Sequence, residues 1–294
     1  MKFYREAQVK VKIRNADFSG YTEEVTIKNL RISFSIVKSL AWSANTCNVK
    51  IWNMKQETRN LIKDYGDEVT VYAGYRDEGD LQIIFVGDTT AVIHMYDQPE
   101  IISIFECSDG DKYINQRRVA VSFVANTPVN LMIQIIAEQM GLNIAELATA
   151  NDLVYRQGFE FIGMGKDALT TLCSKLGLQW SVQNDDLQII PLDGTIQQPI
   201  VQINQNTGMQ GIPQRFTYRR LDLYRAITAP TTGWKVNVAL NPKVAPGAKI
   251  DLASTHIDFK GPYRVENVRH EGDTFGSTWS SQFEVTELAS GATI

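Results

Sequence analysis

The 294-residue sequence predicts an α+β fold that is mainly β, with two strand-rich regions flanking a smaller region of mixed character. Short runs in the first hundred residues alternate between apolar and polar side chains, which is typical of half-buried strands. Helical spacing dominates only in the middle of the chain. The last sixty residues return to short alternating runs separated by turn dipeptides. This order predicts domains at residues 1–110, 111–192 and 193–294.

The strands of the first region follow from strict alternation. Val9, Val11 and Ile13 share one face of a strand, because successive strand side chains point to opposite sides of a sheet. The other runs with this pattern cover residues 25–27, 32–36, 48–52, 69–75, 81–88, 91–96 and 101–107. Many short strands with one inserted helix favour a barrel or a sandwich.

Three helices are predicted, each followed by a glycine that can adopt the left-handed conformation at a helix end. They cover residues 56–65, 128–140 and 166–176, and the glycines are Gly66, Gly141 and Gly177. Thr127 is the expected N-cap of the second helix, with Pro128 at its first position. The apolar stripes consist of Leu61, Ile62 and Tyr65; of Val129, Met132, Ile133, Ile136 and Met140; and of Leu169, Leu172, Cys173 and Leu176.

The segments that leave the second and third helices resemble each other. Gly141-Leu142-Asn143-Ile144 and Gly177-Leu178-Gln179-Trp180 indicate two small helix-to-strand units. A hairpin is expected after the second unit, with strands at 179–182 and 187–190.

The last region begins with a polar segment. Residues 193–210 are rich in Gln, Asn, Thr and Gly, and are predicted to form a linker or a loop that orders on assembly. Strand patterns resume at 215–218 and 234–238. They continue through a turn-rich closing segment that contains no motif for a metal, a phosphate or a scissile bond.

Composition excludes several classes of function. Apolar residues make up 44% and charged residues 21% of the chain, which is ordinary globular usage. The net charge of −4 and the absence of a long basic run argue against stable nucleic-acid binding. No apolar run approaches the length of a membrane helix, so no stable membrane insertion is expected. The three distant cysteines are expected to be reduced thiols in cores, which implies assembly in a reducing cytoplasm: Cys47, Cys107 and Cys173.

The search for chemistry predicts no catalytic, cofactor-binding or metal-binding residues. His94, His256 and His270 have no second histidine at helical spacing, and the turn that follows His270 is a weak metal candidate. Gly163-Met164-Gly165-Lys166-Asp167 has the wrong spacing for a phosphate-binding loop and indicates a flexible start to a helix.

Acidic pairs are equally unspecific. Asp109-Gly110-Asp111 predicts a tight turn rather than a calcium loop. Glu23-Glu24 and Asp185-Asp186 lie in polar turns, where solvated charge is the ordinary explanation. Paired carboxylates for glycoside hydrolysis depend on spatial separation, which the sequence does not decide.

Three parts of the chain, in this order, resemble baseplate hub proteins of contractile-tailed bacteriophages, the tail hub or late control protein D group. The first is Asn48-Val49-Lys50-Ile51-Trp52-Asn53, a short helix, Gly66-Asp67-Glu68-Val69-Thr70-Val71-Tyr72-Ala73-Gly74-Tyr75 and Phe85-Val86-Gly87-Asp88. The second is the pair of helix-to-strand units. The third comprises Gly211-Ile212-Pro213, Leu240-Asn241-Pro242, Pro246-Gly247 and the segment from Gly261 to Trp279.

The resemblance implies two tail-tube-like β-barrel domains flanking small α/β domains. It also implies a homotrimer whose six barrels form a pseudo-hexameric ring between the hexameric tail tube and the trimeric spike. The implied partners are the tail tube protein, the central spike protein, other baseplate proteins and the tape measure protein, with DNA only in transit through the channel. The implied location is the virion tail baseplate, assembled in the host cytoplasm.

Two alternatives remain open at this stage. One is another tail-tube or tail-tip structural protein, from which a hub differs by carrying two barrels in one chain. The other is a cell-wall hydrolase, which should clear a peptidoglycan substrate. Net acidity also suggests a channel surface that repels DNA, a hypothesis that a strongly basic surface would contradict.

Overall fold

The computed structural model describes residues 4–15, 17, 20–62, 65–76, 81–148, 153–218, 231–259 and 261–288. The strands are β1 (Arg5–Arg14), β2 (Tyr21–Ile27), β3 (Ile32–Ser39), β4 (Asn45–Trp52), β5 (Glu68–Tyr75), β6 (Gln82–Asp97), β7 (Glu100–Asp109), β8 (Arg118–Phe123), β9 (Thr127–Pro128), β10 (Asn143–Leu147), β11 (Val154–Tyr155), β12 (Phe159–Met164), β13 (Leu178–Gln183), β14 (Asp186–Pro191), β15 (Val201–Ile203), β16 (Met209–Tyr218), β17 (Thr231–Ala239), β18 (Lys249–Leu252), β19 (Pro262–Asp273) and β20 (Trp279–Glu287). The helices are α1 (Gln56–Leu61), α2 (Asp111–Gln116), α3 (Val129–Met140) and α4 (Gly165–Leu176), with a 3-10 turn at Gln205–Thr207.

One 13-stranded sheet joins the first and last regions of the chain. Its main path runs β16-β17-β20-β19-β3-β4-β7-β6-β5-β1-β2, and β18 with β15 branches from β19. The mainly β, α+β class is confirmed. Closed barrels are not seen among the described strands, because β3 pairs with β19 rather than with β2 of its own region.

Three hydrophobic clusters lie along the molecule. The first packs the inward faces of β1 and of β3 to β7, together with Trp279 of β20. The second surrounds α3 and α4, and the third packs β16 to β20. The division at residues 1–110, 111–192 and 193–294 stays a prediction.

The two helix-to-strand units are present as predicted. Gly141 and Gly177 end their helices at φ values of 80° and 67°, and the strands that follow both pair with β14. The predicted hairpin is β13–β14. Asn184 and Asp185 form its turn with φ values of 57° and 67°, the left-handed geometry that suits a tight hairpin.

The first and second predicted helices begin or end differently from the sequence pattern. α1 stops at Leu61 because Ile62 turns into extended backbone and enters the core, while Leu61 and Tyr65 stay exposed. Residues 63 and 64 lie outside the described part. Thr127 does not cap α3: it pairs with Tyr155, and its hydroxyl donates to the carbonyl of Val124.

Two other predictions were wrong. Residues 193–210 are not a structureless linker, because Ile196 and Ile203 are buried and the segment contains β15 and the 3-10 turn. Residues 81–88 and 91–96 are one strand, β6. A bulge at Thr90 shifts the alternation by one residue, and the sequence pattern therefore looked like two strands.

Candidate assembly surface

Two hairpins of the continuous sheet, β6–β7 and β19–β20, carry the same side chains in the same register. In each hairpin, a Val-x-His run faces a Ser-x-Phe run. The facing pairs are Val92 with Phe105 and His94 with Ser103 in the first hairpin, and Val268 with Phe283 and His270 with Ser281 in the second. Nδ1 of His94 lies 3.0 Å from Oγ of Ser103, and Nδ1 of His270 lies 2.7 Å from Oγ of Ser281.

Both hairpins also bulge at the same place. Thr90 and Glu266 are the extra residues, each two positions before the matched valine. Glu106 and Glu284 follow the matched phenylalanines in the facing strands. A bulge is a specific backbone feature rather than a defect, so its recurrence supports a common origin for the two hairpins.

The strands beside the hairpins begin in the same way. Gly66 precedes β5 at φ 90°, and Gly247 precedes β18 at φ 87°. The N–H of Gly66 donates to the carbonyl of Thr89 at 2.9 Å, and that of Gly247 donates to the carbonyl of Val265 at 2.8 Å. Positive φ explains why glycine occurs at both positions.

Strand order completes the correspondence. β3 to β7 are arranged in space as β3-β4-β7-β6-β5, and β16 to β20 are arranged as β16-β17-β20-β19-β18. We refer to β3–β7 as the first unit and to β16–β20 as the second unit. The chain therefore contains one five-stranded topology twice.

The two units meet edge to edge. β3 pairs antiparallel with the second part of β19, from Ser39 opposite Asn267 to Ser33 opposite Asp273. This pairing makes the two units one sheet and keeps the same face of each on a core.

The other face of the joined sheet is mostly polar around the junction, although Val37 is exposed there, and Ile93 and Met95 are exposed further along it on β6. Its polar side chains around the junction are Ser33, Ser35, Asn48, Lys50, Lys235, Asn237, Arg269, Glu271, Gln282 and Glu284. Lys235 and Glu284 lie 2.6 Å apart, as do Arg269 and Glu271. Charges of both signs alternate on this face, so it is neither strongly acidic nor strongly basic.

Asp88 anchors the start of the middle region to the first unit. Nζ of Lys112, in α2, lies 2.8 Å from Oδ2 of Asp88 and 3.2 Å from Oδ2 of Asp185. Burial raises the pKa of Asp185 to about 7 despite the nearby Lys112 ammonium. Burial also favours neutral Lys112, but Asp185 and Asp88 outweigh it and raise its pKa.

Arg264 anchors the other end of the middle region to the second unit. Its Nη1 donates to the carbonyls of Leu192 at 2.6 Å and Gly194 at 3.1 Å, just beyond β14. Its Nε and Nη2 donate to Oε1 of Glu266 at 2.8 and 2.6 Å, and the Thr286 hydroxyl donates to the same oxygen at 2.7 Å.

Asp109 clamps the tip of the β13–β14 hairpin. Its carboxylate accepts from the backbone N–H of Asn184 at 2.8 Å and of Asp185 at 2.7 Å, and from the Asn45 amide at 2.9 Å. Lys38, buried on the inner face of β3, donates to the Asn184 side chain. Burial lowers the pKa of Lys38 to about 8, although Asp109 opposes this shift. The Asp109-Gly110-Asp111 turn therefore holds the β13–β14 hairpin in position through hydrogen bonds.

Packing, hydrogen bonding or solvent exposure describes the other residues that the sequence analysis considered. Gly165 begins α4 where an added Cβ would lie 2.4 Å from Cγ of Met140, so close helix packing accounts for the glycine. Lys166 donates to Asn115. Glu23 and Glu24 are exposed on β2.

The histidines lie in separate places, whereas Cys47 and Cys107 face each other across β4 and β7, and Cys173 lies in α4. His256 is exposed in a loop, while His94 and His270 belong to separate hairpins. The cysteines are free and buried, and burial raises the pKa of Cys173 to about 12. In the described part of the chain, no group of three or more His, Cys, Asp or Glu could hold a metal ion. None of the described helices is long and apolar enough to cross a membrane.

Sequence reasoning recognised a repeated pattern of strands but missed the residues that carry the duplication. The sequence signal that could have revealed the duplication is a Val-x-His run followed by a Ser-x-Phe run, together with a glycine before an alternating strand. His94 and Ser103 are 9 residues apart, whereas His270 and Ser281 are 11 apart. The difference in turn length hides the match from a fixed-spacing search.

The described strands thus form one five-stranded topology twice, joined edge to edge. Comparison with known proteins shows the class of protein to which this fold belongs. The sequence model of the family described as "Baseplate hub gp41" matches residues 8–246. The chain belongs to this baseplate hub family.

Solved structures show the same fold at low sequence identity. The 43 kDa tail protein of prophage MuSo2 from Shewanella oneidensis is 10% identical, with a TM-score of 0.65 over 96% of this chain and 98% of that one. A tail protein from Neisseria meningitidis MC58 is 12% identical, with a TM-score of 0.64 over 96% and 97%.

A secretion-system protein is also similar in fold. The c3393 protein of E. coli, described as a type VI secretion component that resembles T4 phage tail proteins gp27 and gp5, is 10% identical. Its TM-score is 0.57 over 87% of this chain and 73% of that one. None of the curated proteins searched matches the sequence.

Proposed function

We propose that this chain is the structural hub of a contractile phage tail baseplate, in which three copies form a pseudo-hexameric ring. The ring joins the hexameric tail tube to the trimeric spike and encloses the channel for the genome. The internal duplication carries the proposal, because a chain with two equivalent units can present six-fold symmetry with only three copies. A tube subunit needs one unit, so the duplication favours a hub.

The proposed partners follow from this role. The six units face the tail tube protein, and the three-fold arrangement of whole chains faces the central spike protein. Other baseplate proteins and the tape measure protein complete the set, with assembly in the host cytoplasm. Relatives support this: the fold is shared with the c3393 secretion component, whose description cites both gp27 and gp5.

The polar face of the joined sheet is the proposed channel lining. Its mixed charges provide no run of basic side chains that would hold phosphates, so DNA can pass without stable binding. In this proposal, the mixed charge of the channel face, rather than the net acidity of the chain, is the reason that DNA passes without binding.

Measuring the mass in solution tests the proposed ring. Light scattering of the purified 33.1 kDa chain should give three times the monomer mass, and the protein should leave peptidoglycan intact. A monomer that clears peptidoglycan would support a hydrolase instead.

A further inference from the structure

The β13–β14 hairpin contacts the first unit through polar groups. Within the described chain, none of its residues belongs to the hydrophobic cluster of that unit. The Asn45 side chain donates to the carbonyl of Val182 at 2.8 Å. The Gln183 side chain donates to the carbonyl of Ser39, also at 2.8 Å. Separating the hairpin from the first unit therefore removes no side chain from the hydrophobic cluster of that unit.

The same hairpin is attached to the second unit by apolar packing. Ile190 is 1% exposed and belongs to the third hydrophobic cluster, together with Ile196 just beyond β14. The Gln188 side chain adds a hydrogen bond to the carbonyl of Pro246 at 3.2 Å. The hairpin therefore has a firmly packed end at the second unit and a polar end at the first unit.

We propose that the Asn184-Asp185 turn is a proton-controlled latch between the middle region and the first unit. The turn closes on the first unit when Asp185 binds a proton and is released when Asp185 ionises. The packing around Ile190 acts as the hinge, so release lets the hairpin tilt away from the sheet without unfolding the chain. The latch belongs to the single chain and does not depend on the proposed ring.

Asp185 lies where a negative charge is costly. Its Oδ1 accepts from the N–H of Gly110 at 3.1 Å, and its Oδ2 lies 3.2 Å from Nζ of Lys112. Burial raises the pKa of Asp185 to about 7, although the Lys112 ammonium opposes this shift. Negative charge on Asp109 and Asp88 adds to the shift. Release into water restores the ordinary value of 3.8, so ionisation of Asp185 favours the released turn.

Lys38 gives the latch a second response, of opposite sign. From the inner face of β3, it donates to the Asn184 side chain. Burial lowers the pKa of Lys38 to about 8, although Asp109 and Cys47 oppose this shift. Release into water restores the ordinary value of 10.5, so protonated Lys38 favours release and neutral Lys38 favours closure.

Together, the two groups make the latch weakest near neutral pH. As pH rises from about 4 to 7, the released turn gives up the Asp185 proton more readily than the closed turn, so closure weakens. As pH rises above 8, the closed turn gives up the Lys38 proton more readily than the released turn, so closure strengthens. Closure is therefore least favourable between about pH 7 and 8, where both groups carry charge in the closed turn.

Other titratable groups surround the turn. Burial raises the pKa of Asp186, although a hydrogen bond with Asn143 opposes the shift. Asn143 lies opposite Asp186 within the sheet of the middle region, so Asp186 keeps this partner when the turn is released. The charged and titratable groups that face the turn or its partners are Arg14 of β1, Lys38 of β3, Cys47 of β4, Asp88 of β6, Asp109 of β7, Lys112 and Tyr113 of α2, Asp186 of β14 and His270 of β19.

Hydrogen exchange measures release of the latch through the backbone N–H groups of Asn184 and Asp185, which donate to Asp109. The full-length chain is labelled in deuterated buffer between pH 5 and pH 9, and each rate is divided by the chemical exchange rate at that pH. We expect protection of the two amides to fall about tenfold per pH unit between pH 5 and 6.5. Protection should be lowest between pH 7 and 8 and should rise again at pH 9.

Three variants assign the response to its groups. D185N should match the protection of the wild-type turn at pH 5 and exceed it by roughly tenfold or more at pH 7.5, because the Asn side chain cannot ionise. K38M should remove the rise in protection above pH 8. D186N is the matched control and should keep the wild-type profile.

Low concentrations of urea distinguish release of the turn from unfolding of the whole chain. Release exposes little surface, so exchange of the turn should change little with urea, whereas exchange in α3 should accelerate. A turn whose exchange accelerates in parallel with α3 opens only with the whole fold, and that result would overturn the latch. Wild-type protection that does not fall between pH 5 and pH 7 would overturn it as well, whatever the variants do. Both results would leave the proposed ring intact.

Discussion

Asp88 and Arg264 occupy the same position in the two units, and each fastens one end of the middle region. Asp88 binds Lys112 where the chain enters that region, and Arg264 binds the carbonyls of Leu192 and Gly194 where it leaves. Both residues therefore attach the middle region to their unit, although Asp88 is acidic and Arg264 is basic. The middle region is therefore held to the first unit by a partly buried ion pair and to the second unit by hydrogen bonds from the Arg264 guanidinium to backbone carbonyls.

The Arg264–Glu266 pair should be costly to break. Its side chains are 1% exposed, so R264M leaves a buried carboxylate without its guanidinium and should lower the free energy of unfolding by about 3–5 kcal/mol. R269M is the matched control, because Arg269 and Glu271 are 54% and 38% exposed and should contribute less than about 1 kcal/mol. Urea unfolding at pH 7 measures both, and similar losses would contradict the role of burial.

Asp185 should make the fold less stable as pH rises. Its pKa of about 7 lies above the ordinary value of 3.8, so the folded state binds the proton more tightly than the unfolded state. The stability that the group contributes is complete below about pH 4 and is lost as pH rises through 7. Relative to D185N, the wild-type chain should therefore lose stability between pH 5 and pH 8, as measured by urea unfolding.

Asp273 supplies a control of opposite sign. Burial favours its neutral form, but hydrogen bonds from Arg31 and from the backbone N–H groups of Phe275 and Gly276 outweigh this and lower its pKa. Its contribution to stability is present above its unfolded pKa and is lost in acid.

The Asp185 prediction would be contradicted if the difference in unfolding free energy between the wild-type chain and D185N did not change with pH. Asp185 would then titrate normally in the folded state.

His270 should make the fold acid-sensitive. Burial, and then the nearby Lys38, lower its pKa from 6.5 to about 3. Its contribution is present above pH 6.5 and is lost as pH falls toward 3, because only the unfolded state then accepts the proton readily. H270Q should flatten this part of the stability profile. H94Q, at the equivalent and partly exposed position, should change it less, and equal effects would contradict the difference in burial.

Gly165 should tolerate no larger side chain. An added Cβ meets Met140 at 2.4 Å, so G165A should cost about 1–3 kcal/mol through overpacking of α3 against α4. Gly158 is the control, because its added Cβ approaches only the Phe123 carbonyl at 3.4 Å. Thermal unfolding compares the two, and a G158A variant as unstable as G165A would rule out overpacking as the cause.

Alternation along the chain predicted most strands because each has one face on a core, as Val9, Val11 and Ile13 do in β1. The alternation failed as a guide at Thr90, because a bulge makes the side chains that follow point to the opposite face of the sheet. It also failed at residues 193–210, because Ile196 and Ile203 are too isolated to show a period although tertiary contacts bury them.

The assembly surface was beyond prediction for a different reason. Which strand edges stay open depends on β3 pairing with β19, whose partners Ser33 and Asp273 lie at opposite ends of the chain. The residues that match between the units became recognisable only when the cross-strand partners were known.

Electron microscopy of the purified assembly tests the central claim that one chain supplies two equivalent units to a ring. We expect a ring of three chains with six similar sheet units, in which junctions within chains alternate with junctions between chains. A ring whose number of sheet units equals its number of chains, or particles with no ring, would contradict the account.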